Sequence, residues 1–107
     1  MLSEIQHQIA ELIAENSKGS TALYEAEKAL AEAENELDLT EAKAFISAEG
    51  SVADRQALAR LKSAQVRLQR DLRKAEYNRI RQKIKGIETA LMALGTQVKL
   101  IGVEFRG

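Results

Sequence analysis

The chain has 107 residues, enough for one domain at most, and its 45% hydrophobic content is that of a folded protein rather than a disordered one. It contains no proline, cysteine or tryptophan and only 4% aromatic residues, a composition of long helices that excludes disulfides and thiolate metal sites. Its 16 acidic and 16 basic side chains cancel, yet they are segregated: residues 1–54 carry twelve acidic and three basic, residues 55–107 thirteen basic and four acidic, so the halves stand near −9 and +9.

The first predicted element is a helix over about residues 2–48. Leu2, Ile5, Ile9, Leu12, Asn16, Gly19, Leu23, Ala26, Leu30, Ala33, Leu37, Thr40 and Ala44 alternate in steps of three and four, the spacing of a coiled-coil seam. Residues 17–20 are its weak point, because Gly19 costs roughly 1 kcal/mol against alanine in a helix and Ser20 can cap a new one. The seam register passes through unchanged, so the helix is either continuous or broken there.

A turn follows at residues 49–51. Gly50 suits the left-handed position after a helix end, Ser51 can cap the next helix, and Asp54 puts a carboxylate in its first turn. So short a connection implies antiparallel neighbours.

The second predicted helix runs over about 52–101, with a short tail at 102–107. Its expected seam starts as Leu58, Leu61, Gln65, Leu68, Leu72 and Ala75, then moves one residue along to Tyr77, Ile80, Ile84, Ile87, Leu91, Leu94, Val98 and Ile101. A straight helix drifts by roughly 20° per heptad, which would accommodate such an advance. Tyr24 and Tyr77 then fall at one level of the hairpin, either as an aromatic layer or as two exposed tyrosines.

The fold class that results is all-α: a single, long, antiparallel, coiled-coil-like helical hairpin. Two helices bury little apolar surface. Ile13, Tyr24, Phe45, Ile46, Val66, Met92, Leu100 and Phe105 lie off the seam, which points to a homo-oligomer assembling into a helical bundle.

If Leu61 and Leu68 are seam residues, then Arg60, Arg67, Lys74 and Arg81 line the outer face, with Arg70 and Arg73 beside them. Glu4, Glu11, Glu25 and Glu32 form an outer acidic row, while Glu41 flanks the seam where Lys62 can meet it. Such rows can be plain solvated faces. They can also dock the basic face of one hairpin on the acidic face of another, or on a second protein. A further alternative is phosphate contact by nucleic acid, through these residues with Arg79, Lys83 and Lys85. The acidic half and the lack of interleaved aromatics count against it.

No catalytic constellation is visible, so the chain reads as non-enzymatic with no cofactor. His7 is the lone histidine, without a second ligand for a metal. The start Met1-Leu2-Ser3-Glu4-Ile5 lacks a secretory pattern, and no run reaches the ~18 apolar residues of a membrane span. The expectation is a cytoplasmic protein with no membrane partner.

The run Glu41-Ala42-Lys43-Ala44-Phe45-Ile46-Ser47-Ala48-Glu49-Gly50-Ser51-Val52-Ala53-Asp54-Arg55-Gln56-Ala57 resembles a segment found in small helical proteins of bacteriophages and prophages. There the pattern is A-K-A-aromatic-aliphatic-x-A-E-G-small-aliphatic. The likeness is sharpest over 41–57 and loose through 58–101. Those proteins generally carry no assigned activity, so the resemblance implies a phage or prophage origin more than a function; an association with phage DNA metabolism would fit it.

Overall fold

The computed structural model describes the backbone of residues 1–106 and the side chains of residues 1–102. Three α-helices follow one another, α1 (Leu2–Ser47), α2 (Val52–Lys62) and α3 (Ala64–Arg106), and no strand occurs among the described residues. The chain is all-α, and α1 folds back antiparallel on α2 and α3 as a helical hairpin. Its packing divides into two units, one formed by Glu25–Asn78 and the other by Met1–Tyr24 with Arg79–Gly107.

In the turn-side unit, α1 ends at Ser47, whose hydroxyl donates back to the Lys43 carbonyl at 2.7 Å. Gly50 follows with φ +109°, a backbone conformation that side chains with a Cβ rarely adopt. Ser51 is extended and its hydroxyl accepts from the Asp54 N–H at 3.1 Å, so α2 starts with the cap its sequence announces. Arg55 crosses back to α1: its guanidinium lies 4.3 Å from the centre of the Phe45 ring, and its Nε donates to the Phe45 carbonyl at 3.2 Å. Replacing Gly50 with valine forces a β-branched residue to positive φ. It is expected to destabilise the chain by about 1–3 kcal/mol, read as a lower urea midpoint with an unchanged slope; an unshifted midpoint would contradict the strain.

A single residue, Ser63, separates α2 from α3. The Ser63 N–H donates to Ala59 at 3.1 Å and the Arg67 N–H to Ser63 at 2.9 Å, so the i to i−4 ladder bridges the irregularity. Toward α1 this unit buries Ala59 and Ser63, with Val66, Arg67, Arg70 and Tyr77 half-buried; α1 buries Ala26, Ala33, Leu37 and Ala44.

The other unit pairs the start of α1 with the second half of α3. Ile5 and Ile87 are buried there, flanked by half-buried Ile9, Leu12, Leu23, Ile80, Ile84, Leu91 and Leu94. The helix does not break at 17–20. Ser20 donates its hydroxyl to the Asn16 carbonyl at 3.1 Å and Thr21 to that of Ser17 at 3.5 Å, so these side chains serve their own helix instead of capping a new one. Gly19 has a packing reason: a Cβ there would meet Ile84 Cγ1 at 3.0 Å.

The structure corrects two sequence expectations. Leu61, Leu68 and Leu72 are not seam residues; they are exposed by 73%, 50% and 54%. Stepping back from Ile80 by three and four gives 77, 73, 70, 66, 63 and 59, the series to which the buried and half-buried Ala59, Ser63, Val66, Arg70 and Tyr77 belong. No one-residue advance occurs, since the buried and half-buried positions keep a single register from Ala59 to Ile80. Second, α3 continues through Gly102 to Arg106 instead of ending at 101. A glycine without a following proline or cap permits a stop but does not impose one; the side chains of Val103 and Phe105 lie outside the described residues. Of the two tyrosines, Tyr24 is exposed and Tyr77 half-buried, so they do not form a buried aromatic layer.

Candidate interaction faces

The outer acidic row is exposed along α1 as its spacing requires: Glu4 and Glu11 in one unit, Glu25 and Glu32 in the other. Glu11 Oε1 lies 3.0 Å from His7 Nε2, an exposed pair one helical turn apart. Among the described residues no group of three or more His, Cys, Asp or Glu is placed to hold a metal ion.

The basic row divides. Arg60, Arg73, Lys74 and Arg81 are exposed, and Arg73 Nη1 lies 3.7 Å from Glu76. Arg67 instead turns into the hairpin with its side chain 23% exposed, donating from Nη2 to Glu41 Oε1 at 2.7 Å and to Ser63 Oγ at 2.9 Å. Its Nη1 donates to the Arg60 carbonyl at 3.3 Å. Arg70 is half-buried and donates from Nε to Asp71 Oδ1 at 2.7 Å.

The expected Lys62 partner of Glu41 is thereby replaced by Arg67. The cause is the register: with Ala59 and Ser63 inward, Lys62 is exposed, while Arg67 stands one turn beyond Ser63 and its Nη2 donates to both Glu41 Oε1 and Ser63 Oγ. The signal available in the sequence was the small residue Ser63 at heptad spacing from Arg70 and Tyr77, and it was outweighed by the leucines beside it.

An open groove of about 720 Å³ runs beside this cluster, lined by Ala42, Phe45, Ala53, Ala57 and Ala59 with Asp38, Glu41 and Arg60 on its edges. Among the described residues no helix is long and apolar enough to cross a membrane.

Fold and faces together define a charge-segregated helical hairpin. No protein-family model matches the chain, and no curated protein or solved structure matches it.

Proposed function

We propose that this chain is a non-enzymatic interaction protein that self-associates and binds a protein partner through its charged helix faces. The observation that carries the reading is a mismatch between core and surface. Among the described residues seven hydrophobic side chains are buried, four of them alanines, while twelve large apolar side chains are exposed. A hairpin that leaves Ile13, Ile46, Met92 and Leu100 in water beside its leucines has more apolar surface than its own core uses, and association is the ordinary outlet. Opposite charge on the two arms then selects the orientation of docking.

The phage or prophage origin rests on the resemblance over 41–57, a segment that forms the turn and its caps. Nucleic-acid binding is the weaker reading, since Arg67 and Arg70 are drawn into pairs with Glu41 and Asp71. Light scattering is expected to report an oligomer whose mass falls as ionic strength rises, because opposite-charge contacts between exposed groups are screened by salt. A monomer at every salt concentration would refute self-association.

A further inference from the structure

Successive residues of a helix are roughly 100° apart. On that spacing Leu61, Leu68 and Leu72 fall within an arc of roughly 60°, centred opposite the face that carries Ala59, Ser63, Val66 and Arg70. The arm formed by α2 and α3 is thus apolar on both sides. One side meets α1, while on the other Leu61, Leu68 and Leu72 are exposed by half or more. A helix with two apolar faces belongs between two neighbours.

The borders of the stripe identify the second neighbour. In this unit residues 51–78 carry seven basic and three acidic side chains, and exposed Arg60 and Lys62 stand roughly 100° to either side of Leu61. Asp71 is paired with Arg70 at 2.7 Å and Glu76 with Arg73 at 3.7 Å, so the cations left beside the leucines are Arg60 and Lys62. Two such stripes placed face to face would confront like charges. In the same unit, the outer side of α1 exposes Leu39 and Ile46, two turns apart, among exposed Glu32, Glu36 and Asp38. Lys43 lies between the two knobs, but residues 25–50 carry eight acidic and only two basic side chains, so the net charge of that surface is opposite in sign to the stripe's.

We infer that the stripe Leu61, Leu68 and Leu72 docks on the outer face of α1 of a second copy, its cations against Glu32, Glu36 and Asp38 of that copy. This rests on the self-association proposed above and assigns the surface that performs it. The two faces lie on nearly opposite sides of the hairpin, so the contact is head-to-tail, and head-to-tail contacts build rings or open arrays.

The test uses the full chain at low ionic strength, with mass followed by light scattering against concentration. The wild-type mass is expected to rise with concentration. The Leu61→Ser/Leu68→Ser/Leu72→Ser variant is expected to stay monomeric with its helical circular dichroism retained, because the altered side chains are outside the hairpin core. Two charge variants supply an independent arm: Arg60→Glu/Lys62→Glu, and Glu32→Lys/Glu36→Lys/Asp38→Lys. Each alone is expected to be monomeric, and an equal mixture to regain the wild-type association. A serine variant that associates like wild type, or charge variants that fail to combine on mixing, overturns the stripe assignment while self-association stands. A wild-type chain that remains monomeric overturns both.

Discussion

Replacing Leu37 with alanine is expected to destabilise the chain by about 2–5 kcal/mol, the range for truncating a buried leucine. Leu37 is 5% exposed, and the other buried hydrophobics of its unit are Ala26, Ala33, Ala44 and Ala59. Neighbours that small have little side chain with which to refill the space, so the cost falls in the upper part of that range. For a domain of this size each kcal/mol moves the melting midpoint by about 4–8 °C. Far-UV circular dichroism should therefore record a fall of about 10 °C or more. Leu61→Ala is the matched control, expected to change stability by no more than about 0.5 kcal/mol in dilute, dissociated protein. Equal losses in the two variants would return Leu61 to the core and refute the register.

Ser63→Leu is expected to be the second severe change. Ser63 is the one fully buried side chain among the described residues, at 0% exposure, on the α2–α3 face turned toward α1. Leucine there overpacks the contact, at about 1–3 kcal/mol. It also removes the hydroxyl that accepts from Arg67 at 2.9 Å and donates to Glu41 at 3.5 Å. Ser63→Ala keeps the volume nearly unchanged and loses the hydroxyl alone, about 0.5–1.5 kcal/mol. Urea midpoints should rank wild type above Ser63→Ala, and Ser63→Ala well above Ser63→Leu. A leucine variant as stable as the alanine one would mean that the arms are not closely packed at this level.

The first arm was legible almost residue by residue. From Ile5 to Ala44 the alternation of three and four matches buried and half-buried positions of α1, because the seam is the longest apolar series on that helix, with Ile13, Leu39 and Ile46 scattered off it. The turn was equally legible, since positive φ at Gly50 and the cap at Ser51 depend on local chemistry. The second arm misled because residues 58–75 carry two apolar tracks. Leucine content favoured the outer one, whereas the continuous register from Ile80 backward favours Ala59, Ser63 and Val66. Hydrophobicity reports that a face will be covered, not by what. The error propagated to the charges: Arg60, Arg73 and Lys74 were placed outward correctly, while Arg67 was assigned to the surface it leaves in order to reach Glu41.

The contact of Arg55 with the end of α1 has an electrostatic meaning. The last turn of α1 contains no basic residue of its own, so the negative pole of its macrodipole is left without a cation from the same helix. Arg55 supplies one from across the turn, with its Nε on the Phe45 carbonyl. Its neighbour Asp54 stands in the first turn of α2, at the positive pole. Two adjacent residues of opposite sign thus serve the opposed poles of two different helices. The point at which the chain changes from acidic to basic coincides with the point at which the peptide dipoles reverse direction.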